Sequence, residues 1–412
     1  MEMKKYKLGE IAEIYNGSTP STKEFDNYDG NIVWATPKDL SDQNSKYFYQ
    51  GARNITQKGF DSCSTQLIPA NNILMSSRAP IGLFAINKVD RCTNQGFKNI
   101  VLDKKIADVD FMYYFLKYHV KEIEALGSGT TFKEVSKTSF EKYEISIPSL
   151  DNQQKIASVL SALDDKIALN RRMNAKLEQM AKRLYDHWFV QFDFPNADGK
   201  PYKASGGKMV WNETVKREIP EGWEVKKLGD VCEIVLGGTP STTNNEFWEN
   251  GTINWLNSGE VGEFPIVESE KKITEIAVEK STTEFLEAGS VTLSITRYLR
   301  PSILAIDACI NQSVVGIKEN DLFKNCFLYP YLQNEIDRLM SLRTGAQQPH
   351  INKEIVEDSF INILPKELME KYEKKVTPIY LQIINIAKET QKLTVLRDRL
   401  LPLLMNGQVE VE

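Results

Sequence analysis

The sequence contains one segment that occurs twice, 220 residues apart. Residues 7–22 are KLGEIAEIYNGSTPST and residues 227–242 are KLGDVCEIVLGGTPST, with ten of the sixteen positions identical. Further matches follow in the same order: Trp34 with Trp255, residues 76–86 weakly with 296–306, Asn94–Gln95 with Asn311–Gln312, and Gly129 with Gly345. The offset shortens from 220 to 216, which indicates small loop changes inside a duplicated fold of about 140 residues per copy.

Each copy mixes strand and helix patterns. Residues 32–36, 71–77, 80–86 and 143–148 are β-branched or aromatic runs bounded by turn residues, which predicts short strands. Residues 111–126 place apolar side chains at helical spacing, which predicts a helix. We therefore expect each copy to be an α+β domain.

A long periodic segment follows each copy. Alternating steps of four and three residues define a coiled-coil seam in both segments. The first seam comprises Ile156, Leu160, Leu163, Ile167, Asn170, Asn174, Leu177 and Leu184, and the second comprises Ile379, Ile383, Ile386, Leu393, Leu396 and Leu400. So narrow and sustained a stripe favours helices that pack on each other over helices that each pack on their own domain. Pro378 is expected to mark a first turn or a kink.

The expected fold class is α+β, with two tandem domains joined by two long antiparallel helices that form a coiled-coil rod with pseudo-twofold symmetry. Asn170 and Asn174 are either solvated positions on a slightly drifting stripe or members of the seam, where they would set its register at a cost in stability. The expected segments are a first domain at 1–150, a first helix at 151–193, a surface linker at 194–222, a second domain at 223–366, and a second helix with a tail at 367–412.

Charge and cysteine content limit the possible functions. The net charge of −5 argues against a polybasic nucleic-acid binder but allows a local basic face. The five cysteines are scattered singly, which argues against zinc or disulfides and favours a reducing, cytoplasmic location. No apolar run reaches the ~18 residues of a membrane span, so no membrane partner is expected. Motifs for base methylation, dinucleotide binding and paired metal-ligating histidines are missing, which predicts neither a catalytic nor a metal site.

Five features together resemble the specificity subunit of type I restriction–modification enzymes over essentially the whole chain. They are the tandem GxTPST segments, the paired Asn-Gln, the helix DNQQKIASVLSALDDKI…RMNAKLEQMAKRLYDHWF, the joint DFPNADGKPYKASGGKMVWNE…IPEGWEVKKLGD, and the ending LRDRLLPLLMNGQVEV. The resemblance implies two target recognition domains, each for one half of a split, asymmetric double-stranded DNA site. It also implies that the helices dock two modification (methyltransferase) subunits, which two restriction (motor–nuclease) subunits can join. The subunit would not itself be an enzyme or hold a cofactor, because S-adenosylmethionine, ATP and magnesium would belong to its partners.

Direct DNA readout uses Arg or Lys for guanine and Asn or Gln for adenine, while Ser, Thr and Lys hold phosphates. Loop residues with this chemistry in the first copy are Thr19, Ser21, Thr22, Lys23, Lys38, Arg78, Asn94, Gln95, Thr130, Thr131 and Lys133. In the second copy they are Thr239, Ser241, Thr242, Arg297, Arg300, Asn311, Gln312, Gln347, Gln348 and His350. Thr-Pro-Ser-Thr is identical in both copies, so it suits phosphate contact or turn formation rather than base readout. Arg78 and Arg297 are the best candidates for base readout, and the Asn-Gln pairs could equally satisfy buried backbone groups.

Two other functions stay open from the residues alone. One is a non-catalytic duplicated scaffold that spaces two protein partners without DNA readout, and salt-sensitive DNA binding would distinguish a DNA reader from it. The other is an enzyme with a variant active site, which needs a carboxylate cluster or a cofactor pocket.

Overall fold

The structure, a computed structural model, describes residues 2–42, 45–129, 133–345 and 349–411. The chain divides into two compact units. Unit 1 comprises Met1–Leu169 and Lys392–Glu412, and unit 2 comprises Asn170–Gln391. These units do not follow the five expected segments, because each long helix belongs partly to both units. Among the helices of the described ranges, none combines the length and apolarity that crossing a membrane requires.

Unit 1 begins with the first copy of the duplicated fold. Its strands are β1 (Met3–Lys7), β2 (Ala12–Asn16), β3 (Tyr28–Ala35), β4 (Tyr47–Phe48), β5 (Arg53–Ile55), β6 (Ile73–Ser77), β7 (Ile81–Asn87), β8 (Cys92–Thr93), β9 (Phe97–Leu102) and β10 (Glu144–Pro148). Its short helices are α1 (Leu8–Ile11), α2 (Pro37–Ser41), α3 (Gln57–Asp61), α4 (Val109–Tyr118), α5 (Val120–Ala125) and α6 (Lys137–Glu141). The long helix α7 (Leu150–Tyr185) follows and ends in a π-helical turn, Asp186–Val190.

Unit 2 contains the second copy. Its strands are β11 (Met209–Asn212), β12 (Arg217–Pro220), β13 (Glu224–Lys227), β14 (Ile234–Leu236), β15 (Ile253–Leu256), β16 (Lys271–Ile273), β17 (Glu284–Leu286), β18 (Val291–Ser294), β19 (Pro301–Ile303), β20 (Ala308–Ile310), β21 (Val314–Ile317) and β22 (Phe360–Ile363). Its helices are α8 (Leu228–Val231), α9 (Glu275–Lys280), α10 (Asn325–Ser341), α11 (Lys353–Glu357) and most of the long α12 (Lys366–Met405).

The two copies share most of their sheet topology, and among the described strands they differ by β4, found in the first copy, and β17, found in the second. In unit 1 the neighbouring strands run β2-β9-β6-β7-β4, β5-β3-β8 and β1-β10. In unit 2 they run β14-β21-β18-β19, β16-β15-β20-β17 and β13-β22. The equivalent inner strands β6 and β18 are buried along their whole length, and the helices that follow them cover one sheet face with apolar side chains. The prediction of two tandem α+β domains is therefore confirmed.

Two expected elements differ in detail. The helix expected over 111–126 is divided into α4 and α5 at His119, where the backbone leaves the helical conformation. The expected surface linker at 194–222 contains the antiparallel hairpin β11–β12. Phe194 and Ile219 anchor it in the core of unit 2, with Phe194 stacked on Trp223. Aromatic anchors therefore fold a segment whose composition predicts an irregular loop.

The long helices pack on each other within unit 2. Asn170 of α7 donates a hydrogen bond to Glu389 of α12 over 2.9 Å, and Asn174 donates to the carbonyl of Ile383 over 3.1 Å. The partner number falls as the α7 number rises, so these helix segments are antiparallel, as expected. In unit 1, the final turns of α12 place Leu404 and Met405 in the same core cluster as residues 156–160 of α7.

Most seam positions face these contacts. Ile156, Leu160, Ile167, Asn170, Ile383 and Ile386 are buried, and Leu163, Asn174, Leu177, Leu184, Ile379, Leu393 and Leu400 are partly buried. Leu396 was predicted wrongly, since it is 44% exposed. Its neighbour Arg397 faces α7 instead and pairs with Asp164 over 2.8 Å. At 3.6 residues per turn the buried stripe drifts past a strict seven-residue repeat, which shifts the contact by one residue.

Pro378 does not mark a first turn, because α12 begins at Lys366 and continues past it. A proline inside a helix leaves one carbonyl without its amide donor. Pro378 occupies an exposed position, where water can satisfy that carbonyl.

Candidate nucleic-acid interface

One side-chain hydrogen bond recurs at the same place in both copies. The hydroxyl of Thr19 donates to Oε1 of Gln95 in unit 1, and the hydroxyl of Thr239 donates to Oε1 of Gln312 in unit 2. Each bond joins the Thr-Pro-Ser-Thr loop to the turn before β9 or β21. The two repeated motifs, far apart in sequence, thus form a single surface in each unit.

The glycine before each Thr-Pro-Ser-Thr loop is required by a close approach. A Cβ on Gly17 would lie 2.0 Å from the carbonyl oxygen of Asn94, and one on Gly237 would lie 2.2 Å from that of Ile310. Any larger residue would push the loop away from the neighbouring strand end. This contact explains why glycine occurs in both copies of the repeat.

A tryptophan supports each loop from below. Nε1 of Trp34 donates to the carbonyl of Ser18 over 3.2 Å, and Nε1 of Trp255 donates to the carbonyl of Gly238 over 3.2 Å. Both rings are buried. Because the carbonyls point inward to these donors, Ser21 and Thr22, and likewise Ser241 and Thr242, remain exposed on the outer side of the loop.

The repeated asparagines close a turn. Oδ1 of Asn94 accepts from the amide of Gly96 over 2.9 Å, and Oδ1 of Asn311 accepts from the amide of Ser313 over 3.0 Å. Of the two interpretations left open for these residues, the geometry supports a backbone-satisfying role for the asparagines. The neighbouring glutamines are exposed and carry the bond to the Thr-Pro-Ser-Thr loop.

The hairpins β6–β7 and β18–β19 project beside this turn. The hydroxyl of Ser76 donates to the carbonyl of Pro80 over 2.7 Å, and the hydroxyl of Ser294 donates to the carbonyl of Tyr298 over 2.5 Å. Ser76 therefore corresponds to Ser294, and the weak match of 76–86 with 296–306 is out of register by two residues at this point. A weak sequence match with few identical residues does not define the register of a hairpin. The pairing of β6 with β9 and of β18 with β21 does define it.

With the corrected register, the two candidate arginines do not occupy equivalent positions. Arg78 corresponds to Thr296, and Arg297 corresponds to Ala79. Ala79 and Arg297 both have positive φ, 49° and 61°. The arginines thus lie one position apart at the tips of equivalent hairpins and present different side chains to whatever the tips contact.

Most of the other candidates are exposed to solvent. Lys23, Lys38, Lys133, Arg297, Arg300 and His350 are exposed, and Arg78 is partly exposed. Equivalent antiparallel bridges join Ser128 to Glu134 in unit 1 and Thr344 to His350 in unit 2. Thr130, Thr131, Gln347 and Gln348 lie outside the described residues.

The hairpin tip of unit 1 contains an ion cluster that the sequence analysis missed. Nζ of Lys98 lies 3.1 Å from Oε1 of Glu134, and Nη1 of Arg78 lies 3.5 Å from Oε2 of the same carboxylate. Nζ of Lys98 also donates to the hydroxyl of Ser77 over 3.4 Å. Lys98 is only 4% exposed and lies in the largely buried strand β9, so a lysine next to an apolar run was the available signal.

A second missed feature is a cation over an aromatic ring beside each Thr-Pro-Ser-Thr loop. The Arg53 guanidinium lies 4.3 Å from the ring centre of Tyr28, and Nζ of Lys271 lies 5.7 Å from that of Trp248. Arg53 pairs with Trp34 across the sheet, just as Lys271 pairs with Trp255. The two cations are therefore equivalent positions.

These aromatic rings also hold the loops. The hydroxyl of Tyr28 donates to the carbonyl of Pro20 over 2.8 Å, and Nε1 of Trp248 donates to the carbonyl of Ser241 over 3.0 Å. Trp248, Thr242, Lys271 and Lys272 line a surface cavity of about 400 Å³ in unit 2. Basic side chains beside exposed hydroxyls suit a phosphate group.

The thiols and carboxylates near this surface do not form reactive groupings in the described ranges. Burial raises the pKa of Cys92 and of its counterpart Cys309 to about 11, so both thiols are protonated near neutral pH. Within the same ranges, no three His, Cys, Asp or Glu side chains converge where a metal ion could be held. The chemistry at the surface is that of hydrogen-bond donors and cations.

The fold and the paired surfaces define a class of protein with two equivalent recognition modules in one chain. The family model described as "Type I restriction modification DNA specificity domain" matches residues 1–179 and 220–395. The chain belongs to this family, and it is a type I restriction–modification specificity subunit with two tandem recognition domains.

Individual relatives agree with this assignment. The chain is 32% identical to the type I restriction enzyme MjaIX specificity subunit of Methanocaldococcus jannaschii over 98% of this chain and 93% of that protein. It is 26% identical to the HindI specificity subunit of Haemophilus influenzae over 99% of this chain and 100% of that protein. The crystal structure of the type I S subunit from M. genitalium has a similar fold, with a TM-score of 0.60, 16% identity, and coverage of 98% of this chain and 96% of that one.

Proposed function

We propose that this subunit binds a split, asymmetric double-stranded DNA site, with one half-site bound by each unit. The observation that carries the proposal is the duplicated polar framework, in which equivalent hydrogen bonds hold equivalent loops while the hairpin-tip side chains differ. A shared framework supports contacts that every half-site offers, namely phosphates. Different tips support contacts that distinguish one half-site from the other.

The side chains on each surface fall into the same two classes, those shared by both units and those that differ between them. Exposed Ser and Thr hydroxyls and the paired cations Arg53 and Lys271 occur in both units and suit phosphates. Arg78 in unit 1, and Arg297 with Arg300 in unit 2, occupy non-equivalent positions and suit guanine edges in a major groove. The net charge of −5 is compatible with this assignment because DNA binding depends on a local basic face rather than on the total charge of the chain.

The long helices would dock the partner subunits. Leu169, Met173 and Met180 on α7, and Leu381 and Val395 on α12, are large apolar side chains that are exposed in this chain. Exposed apolar side chains on helices favour protein contacts. We infer that two modification subunits bind there and that two restriction subunits can join them. Methyl transfer and cleavage, with S-adenosylmethionine, ATP and magnesium, would take place on those partners, and this chain would supply recognition without catalysis.

Methylation mapping tests the proposal. The chain is co-expressed with the modification subunit of its own system in a host that lacks DNA methylation, and modified bases are then located by sequencing. We expect a gapped, two-part, asymmetric motif that disappears when this chain is omitted. Co-purification of the two proteins without any motif would support the scaffold function instead and would overturn the recognition role.

A further inference from the structure

The Lys98–Glu134–Arg78 cluster distinguishes unit 1 from unit 2. By strand pairing Lys98 corresponds to Val315, since Met75 pairs with Lys98 and Leu293 pairs with Val315. By loop closure Glu134 corresponds to His350. The charged cluster of unit 1 therefore stands where unit 2 has an apolar side chain and an imidazole. This is a difference in chemistry at the tip of an otherwise matching framework.

The cluster contains two cations for one carboxylate. Lys98 is buried, and a buried ammonium group is unfavourable unless a counter-charge and hydrogen bonds compensate it. Glu134 supplies the counter-charge at 3.1 Å, and Ser77 supplies the oxygen of a further hydrogen bond at 3.4 Å. The carboxylate is therefore already engaged by the buried lysine.

Arg78 is the cation that can leave this cluster. Its distance to Glu134 is the longer one, 3.5 Å, and the side chains of both residues are 36% exposed. Solvent weakens such a pair, so a bidentate acceptor on DNA can replace it at small cost. Until then, Glu134 holds the guanidinium at the hairpin tip and limits the orientations that it adopts.

We propose that Arg78 reads a guanine in the half-site bound by unit 1 and that Glu134, anchored by Lys98, is the positioning residue for it. This inference rests on the proposed function. A guanidinium can donate two hydrogen bonds to O6 and N7 of guanine, and an ammonium cannot reproduce that planar geometry. Arg78 contributes the base contact, whereas Glu134 acts only through Arg78.

The test uses the co-expressed complex and the methylation map. Arg78→Lys keeps the charge but removes the planar fork. We expect one guanine position in one half-site to lose its preference, by about 5- to 150-fold against other bases. The other half-site and the spacing should be unchanged. If Arg78 contacts only a phosphate, R78K will leave the motif intact, and the readout role is overturned.

The positioning role needs variants that keep the fold. Glu134→Gln alone leaves the buried lysine uncompensated, so it is combined with Lys98→Met, which removes the buried charge together with its partner. We expect this double variant to relax the preference at the same guanine position as R78K. The single variant Glu134→Asp keeps the carboxylate, so it should keep much of the preference. Thermal unfolding checks that the variants are folded. A folded K98M/E134Q variant with an unchanged motif contradicts the positioning role.

A control variant and the unaltered chain separate a failure of this inference from a failure of the proposed function on which it rests. Lys105→Ala removes an exposed lysine beyond the opposite end of β9 and should leave the motif unchanged. If the unaltered chain yields no motif, the proposed function fails and this inference fails with it. If the unaltered chain yields a gapped motif and R78K yields the same motif, only this inference fails.

Discussion

The guanidinium of Arg397 donates from Nη1 to Oδ1 of Asp164 over 2.8 Å, joining the last part of α12 to α7 within unit 1. Oδ2 of the same carboxylate accepts from the hydroxyl of Tyr114 over 2.7 Å. Burial, together with the charge of Asp164, raises the pKa of Tyr114, so its hydroxyl remains a donor. The ion pair between Arg397 and Asp164 lies where a regular coiled-coil seam would place two apolar side chains.

Replacing Arg397 should destabilise unit 1. Arg397→Met removes a hydrogen bond between charged groups and leaves the partly buried Asp164 with the Tyr114 hydroxyl as its remaining hydrogen-bond partner among the described residues. This loss should lower the free energy of unfolding by about 2 kcal/mol. Urea titration of the full chain measures the change. Asp398→Asn is the matched control. Asp398 also contacts Arg397 but is 59% exposed, so the loss there should stay below about 1 kcal/mol. Equal losses in the two variants would contradict the importance of Asp164.

Replacing the buried Asn170 should stabilise the helix pair but loosen its specificity. Asn170 is 1% exposed, and its Oδ1 accepts no hydrogen bond from the described residues. Asn170→Leu should therefore raise the free energy of unfolding by about 1 kcal/mol, while removing a group that fixes helix register. Denaturation measures the first effect, and the fraction of self-associated chain in size-exclusion chromatography measures the second. Lower stability of N170L would show that the bond to Glu389 outweighs the burial cost.

The paired cations beside the Thr-Pro-Ser-Thr loops should contribute to the salt dependence of DNA binding. Each phosphate contact contributes about −0.9 to the slope of log K against log salt. Arg53→Ala and Lys271→Ala should each make the slope of the complex less negative by about one, without changing the methylation motif. Binding titrations at several salt concentrations measure the slope. Lys105→Ala is the control, and a slope unchanged in R53A and K271A would remove these residues from the interface.

The buried thiols should resist alkylation. Burial raises the pKa of Cys92, Cys232 and Cys309 to about 11 and that of Cys326 to about 12. A raised pKa means less thiolate, so at pH 8 about one in a thousand of the first three thiols is reactive. With iodoacetamide, mass spectrometry should find Cys63, which is partly exposed, modified first. The buried sites should react faster as the pH approaches 11. In urea all five should react, and equal reactivity in the folded chain would contradict this burial.

Local sequence patterns were enough to predict much of the fold. The strands near Trp34, Leu74 and Ile145 and both long helices follow from residue periodicity, because alternation and helical spacing are properties of neighbouring residues. The duplication was visible because Gly17 and Gly237 meet the same steric requirement.

Other parts of the site depended on contacts that no local pattern contains. Lys98 lies in the largely buried strand β9, and its partner Glu134 is 36 residues away. Arg53 is placed by its cross-strand pairing with Trp34, and Tyr28 lies beneath it. Strand pairing, rather than sequence similarity, showed that Ser76 corresponds to Ser294.

The sequence by itself determined that this chain is a tandem repeat of an α+β unit followed each time by a long helix. It also determined that Thr-Pro-Ser-Thr and Asn-Gln recur together, because these motifs and their spacing can be compared without coordinates. Only the tertiary structure decided that Arg397 rather than Leu396 faces α7, and that one buried lysine distinguishes the two hairpin tips. Those outcomes depend on register and on burial of charge between segments distant in sequence, where hydrogen bonding and desolvation override local propensity.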